Sequence, residues 1–216
     1  MDFSSKHQEF ETLKARVAEL ETELREFEHS RPWQPAGYYA AYDATSGFAL
    51  GGFAAAAALL VNVVGAPIAG RSSLELIRVY LTFPLGEQAL ALAGPGRAGQ
   101  AVGDGMILAF GCCLFLFTGM LLGIPMQMAL DWFNGLDRPV RRLGIASLLG
   151  LALWIVNFYG ILSWLQPLLF GGRWIVDPHL LPPWVAAGTH LVFAWTMALL
   201  YPLGSFTRAR STMEQS

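Results

Sequence analysis

Four stretches of this chain run without a Lys, Arg, Asp or Glu for long enough to cross a bilayer, at about 47–68, 105–130, 143–169 and 183–204. A helix rises about 1.5 Å per residue, so about 20 apolar residues span roughly 30 Å of hydrocarbon. No other feature of the 216 residues constrains the fold as strongly. Composition agrees, because 54% of residues are hydrophobic and 14% charged, against about 25% charged in soluble domains. The fold class that follows is an all-α integral membrane protein, a four-transmembrane-helix bundle over 47–204. The first run follows charged, helix-forming and aromatic-rich sequence rather than the short basic region of a cleavable signal, and is expected to be a retained helix.

Residues 1–31 are expected to form an N-terminal amphipathic, coiled-coil-like helix on the cytoplasmic side. Phe3, Phe10, Val17 and Leu24 recur every seven residues while Leu13, Leu20 and Phe27 fill the complementary positions, the spacing of a coiled-coil seam. Ser4 or Ser5 can cap its start and Pro32 helps to stop it. A helix lying on lipid carries Lys and Arg on its polar face. This one is rich in Glu, and nine of the chain's sixteen acidic residues precede residue 44, so the expected partner is protein, either another copy or another subunit. No basic patch points to nucleic acid. Next, 32–46 is expected as a Pro-broken juxtamembrane linker whose Trp33, Tyr38, Tyr39 and Tyr42 favour the headgroup layer. Residues 205–216 form a cytoplasmic tail.

With both termini cytoplasmic, ten Lys and Arg fall inside and four (Arg71, Arg78, Arg97 and Arg173) outside, the bias expected of a multi-pass protein of a cell inner (plasma) membrane. The first outer loop, about 70–104, is long and only weakly polar. Leu74, Ile77 and Leu81 share one helical face, and a second short helix can follow the Phe83-Pro84-Leu85-Gly86 turn, from Glu87 to Leu92. Glu75, Arg78, Glu87 and Pro84 disfavour a fifth crossing, so an interfacial helical hairpin is expected. Pro67, Pro125, Pro167 and Pro202 stand near the C-terminal ends of the four runs, where proline terminates or kinks membrane helices.

Helices associate in lipid through close backbone approach and polar pairing. Gly47, Gly51, Ala55 and Ala58 line one side of the first run, and the same spacing returns at Gly119 and Gly123, Ala146 and Gly150, and Ala194 and Ala198. A compact bundle, interacting with lipid and with other membrane subunits or further copies, is the expectation.

Polar residues inside the runs define the candidate site. Depth counted from the helix ends puts His190, Asn62 and Ser163 in the outer third, with Asn157 and Thr118 nearer the middle. An ionisable residue in a membrane helix is rare enough to suggest function, here a polar pocket with His190 as proton acceptor or ligand. The competing role is a neutral histidine that joins helices through a hydrogen bond to Asn62 or to a backbone carbonyl.

Cofactors are not expected. Bis-histidine haem needs two facing imidazoles, and His190 is the one histidine within a run. No spacing supplies the three or four ligands of a zinc site. Met106, Cys112, Cys113, Met120, Met126 and Met128 are soft ligands suited to Cu(I), but Met126 and Met128 lie two apart on a helix and face different sides. The adjacent cysteines build no disulfide framework. Nucleophile motifs, phosphate loops and paired intramembrane carboxylates are absent from the sequence, so the chain is not expected to be an enzyme. The expected function is a non-catalytic multi-pass membrane subunit that assembles through its coiled-coil helix and small-residue faces. The alternative is a small oligomeric transporter or channel with an outward-facing polar pocket around His190.

Overall fold

The computed structural model describes residues 3–30, 36–68, 70–94, 98–133 and 138–205. All regular structure among them is helical. The chain divides into two units, Met1–Tyr38 and Tyr39–Ser216.

The first unit holds α1, Phe3–Ser30. Its side chains from residue 10 to residue 23 are exposed. Phe10, Leu13, Val17 and Leu20, spaced to lie along one side of the helix, are 60%, 61%, 54% and 48% exposed. The side chains of Phe3, Leu24 and Phe27 lie outside the described residues.

Four helical spans are long and apolar enough to cross a membrane: Ala40–Ile68, Ala101–Trp132, Pro139–Phe170 and Pro183–Gly204. Each contains one of the runs read from sequence. The first belongs to α2, Ala36–Ile68. Helix therefore begins inside the stretch expected as a linker, because the residues after Pro35 include several alanines, the best helix former, and no further proline until Pro67. Tyr38, Tyr39 and Tyr42 stand on its first turns, while residues 31–35, Trp33 among them, and the tail beyond Ser205 lie outside the described residues.

The second span is α4, Ala101–Trp132, and it meets α2 through glycine. A methyl group on Gly123 would stand 2.1 Å from the Gly47 carbonyl oxygen, and one on Gly51 would stand 2.5 Å from that of Gly119. No side chain fits between these backbones. The third span starts as α5, Pro139–Ile155, and the fourth is α7, Pro183–Gly204. These two touch the same way, since a methyl on Gly150 would lie 2.7 Å from Ala194 Cβ. The Trp195 indole N–H also donates to Ser147 Oγ at 2.8 Å. Ala54, Ala55, Ala58, Ala146, Ala194 and Met197 form the buried core between the helices.

Between α2 and α4 lies α3, Glu75–Leu85, followed by a 3-10 turn at Gly86–Ala91. Helix continues through Pro84 and ends at Gly86, whose φ of +63° suits a residue without Cβ. Rather than exposing one face, α3 buries two. Ile77 and Leu81 close over Gly111 and Leu108 of α4, while Val79 packs with Ile175, Leu181 and Ala186. A polar clamp fixes this end of the bundle. Gln166, fully buried, donates to Thr82 Oγ1 at 2.9 Å and accepts the Ile175 N–H at 3.0 Å. Buried Asp104 accepts the Ala93 N–H at 2.8 Å.

One feature of the third span has no counterpart in the sequence expectations. Between α5 and α6, Ser163–Phe170, the residues Val156–Leu162 form a π-helical segment. Its wider turn bonds residue i to i+5, and Trp154 and Tyr159, five apart, meet edge to face at 5.6 Å. Such segments interrupt α-helices frequently at functional sites.

Candidate functional site

The π segment helps to line a cavity of about 90 Å³ in the second unit. All four spans and α3 contribute to its wall, which is apolar over most of its extent and aromatic at Phe115, Phe158 and Phe193. Among the described residues, no charged one lines it. Its polar groups are Tyr80 from α3, Thr118 from α4, Asn157 from the π segment, and Thr189 and His190 from α7.

The hydrogen bonds around this wall can be followed proton by proton. Thr118 Oγ1 donates to the Leu114 carbonyl at 3.0 Å, so the short contact between the Tyr80 and Thr118 hydroxyls has tyrosine as donor. Thr189 Oγ1 donates to the Val185 carbonyl at 2.8 Å and accepts from Asn62 Nδ2 at 2.9 Å. His190 Nδ1 lies 2.8 Å from the Ala186 carbonyl, which can only accept, so the ring proton sits on Nδ1. In the neutral ring Nε2 is then a lone-pair acceptor, and no residue among those described donates to it. Phe158 meets the imidazole edge to face at 5.6 Å. Burial raises the Tyr80 phenol above its ordinary pKa, opposed by its bond to Thr118.

The four residues read from sequence as one site are divided by the structure. His190 and Asn157 line the same cavity. Asn62 lies in a neighbouring groove of about 250 Å³ between α2 and α7, with Arg71 and Glu75 at its margin. Its amide bonds to Thr189 and to the Ala58 carbonyl, so the helix-joining partner is the residue beside His190 and not the imidazole itself. Cavity and groove share Leu76, Leu181 and Thr189 as a common wall. Ser163 donates to the Tyr159 carbonyl at 2.7 Å and faces a separate recess with Arg173, Trp174 and Asp177.

Arg71 closes the groove's margin, pairing with Glu75 at 2.7 Å and donating to the Leu180 carbonyl at 3.1 Å. The soft residues of α4 point in several directions. Met126 is buried, Met106 and Met128 are 70% and 45% exposed, and Cys113 is exposed while Cys112 is half-buried. Tyr80 and Thr189 were not singled out from sequence. Thr189 adjoins the one intramembrane histidine, a signal that could have found it, whereas Tyr80 belongs to a helix expected at the surface.

Comparison with known protein families, with curated proteins and with solved structures gives no match to this chain.

Proposed function

We propose that the protein is a non-catalytic multi-pass membrane subunit that assembles with further copies of itself through α1. The observation that carries this reading is the uncovered seam of Phe10, Leu13, Val17 and Leu20, about half of whose surface meets solvent. Valine and leucine at the two seam positions suit a coiled coil of few strands. A second copy also answers part of the flanking charge. In a parallel pair the residue before one seam position faces the partner residue five further on, which sets Arg16 opposite Glu21, while the same spacing sets Glu23 opposite Glu28. Within one chain Arg16 makes only an exposed ion pair with Glu19, a contact of little energy. The same reading puts both chain ends on the cytoplasmic side of an inner (plasma) membrane, on the ten-to-four distribution of Lys and Arg, and α3 with its following turn near the opposite interface.

The full chain, extracted in mild detergent, is expected to sediment as an oligomer, and a Val17→Asp, Leu20→Asp variant as a monomer with unchanged thermal unfolding of its membrane helices. A monomeric wild type, or a variant of unchanged mass, rejects the assignment.

A second reading has its own support. His190 and Asn157 line one cavity, which shares a wall with a groove, as a small transporter or channel would require of its path. Proteoliposome flux of small solutes, compared between wild type and His190→Leu, distinguishes transport from a purely structural histidine.

A further inference from the structure

We infer that the cavity beside the π segment is a binding site for one small neutral molecule with an apolar body and a hydroxyl donor, a simple phenol or alcohol. The inference rests on the cavity of the second reading but not on transport, since binding is measured without flux.

The size excludes most classes. A water needs roughly 10–15 Å³ in this measure and an engineered apolar cavity of about 150 Å³ takes benzene. The 90 Å³ present here is about three-fifths of that, and the cavity is partly open, so it takes a short alkyl group or part of a single small ring. Charge is excluded too, because no acidic or basic residue lines the wall to compensate an ion removed from water.

The polarity of the wall then selects the functional group. Thr118 has given its hydroxyl proton to Leu114, Thr189 to Val185 and Tyr80 to Thr118. His190 has given its ring proton to Ala186. What these groups retain is lone pairs. Asn157, which makes no side-chain hydrogen bond of its own, is the remaining donor. A ligand with only acceptors, such as a ketone or ether, would meet one donor and a surplus of lone pairs. A hydroxyl answers both kinds of group, its proton on His190 Nε2 and its oxygen accepting from Asn157. The aromatic rings of Phe115, Phe158 and Phe193 hold the apolar body. Asn157 and Phe158, adjacent in the π segment, both line the cavity.

Phenol is the probe, with anisole and toluene as shapes lacking the donor. In the full chain, labelled with ¹⁵N-histidine and held in lipid nanodiscs, phenol is expected to shift the His190 Nε2 resonance saturably, while anisole and toluene do not. Asn157→Leu is expected to weaken phenol binding about fivefold, the loss of one hydrogen bond. Saturable protection of the protein against thermal unfolding by phenol is expected to disappear in His190→Phe. Should His190→Phe fail to fold, Asn157→Leu carries the test by the same resonance. No saturable shift in folded wild type, meaning that the cavity holds water alone, overturns the proposal. So does an equal response to anisole, which would mean ring burial without recognition of the donor.

Discussion

Where α2 crosses α4, a methyl on Gly123 would stand 2.1 Å from the Gly47 carbonyl; toward α3, the same two helices help to line a cavity of about 90 Å³. The crossing is made of residues with almost no side chain. The cavity is bordered by phenyl rings, a phenol and a π turn that hold the helices apart. Lipid tails are as apolar as leucine, so neither region gains much from the hydrophobic effect, and each needs another source of adhesion. At the crossing that source is backbone contact. At the cavity it is hydrogen bonding, through Tyr80 to Thr118 and Asn62 to Thr189 in the wall, and Gln166 behind it to Thr82 and to the wall residue Ile175. A membrane bundle can hold a cavity among its helices when polar ties replace the packing that the cavity removes.

The contrast is broken most severely at the crossing. Gly123→Val puts three carbons where the Gly47 oxygen and the Gly51 Cα already stand, so the helices must separate along their length. Overpacking commonly costs about 1–3 kcal/mol, and a clash with two backbone atoms on a second helix belongs at or above the top of that range. Denaturant titration in detergent is expected to show a loss of at least about 3 kcal/mol. Gly144→Ala is the matched control, because nothing lies within 4 Å of a methyl there. Equal stability of the two variants would mean that glycine contact is not what holds the crossing.

The ties around the cavity come next. Gln166→Leu leaves the buried Thr82 hydroxyl without its donor and the Ile175 N–H without its acceptor. Thr82 keeps its bond to the Val79 carbonyl, so the one orphaned group is the Ile175 N–H and a loss of about 1–3 kcal/mol is expected. Hydrogen exchange at the Ile175 amide should rise in the same variant. An unchanged exchange rate at that amide would show that the clamp is not what fixes this end.

Much of this was legible in the sequence because lipid makes hydropathy a strict guide. All four spans, and the glycine and alanine faces that join them, follow from residue type and spacing. What escaped depends on direction around a helix rather than position along it. Counting rise per residue set His190, Asn62 and Ser163 at one depth, yet they face a cavity, a groove and an outer recess respectively. The burial of α3 could not be read from Ile77 and Leu81, since an apolar stripe suits a lipid surface as well as a protein one; Gly111, which makes room for them, lies far along the chain. Nor does hydropathy mark a π turn, whose residues from Val156 to Leu162 are apolar or nearly so apart from Asn157. The five-residue spacing of Trp154 and Tyr159 is the one local trace it leaves.

The smallest effect concerns a polar group on the wrong side of the comparison. Gln127 is fully buried against the glycine crossing, its Cβ 2.7 Å from where a methyl on Gly47 would stand, and neither its amide nitrogen nor its oxygen has a hydrogen-bond partner. Gln166 is equally buried but bonded at both ends. If hydrogen bonds are needed only where packing is loose, an amide in the tight region contributes desolvation cost and no adhesion. Methionine has the same unbranched length and no amide to desolvate. Gln127→Met is therefore expected to raise stability by about 1 kcal/mol in the same detergent titration, as relief of an unsatisfied buried group predicts. A loss of stability instead would reveal a bonded amide, by water or by a neighbouring copy, and the division of labour between contact and hydrogen bonding would fail at the crossing itself.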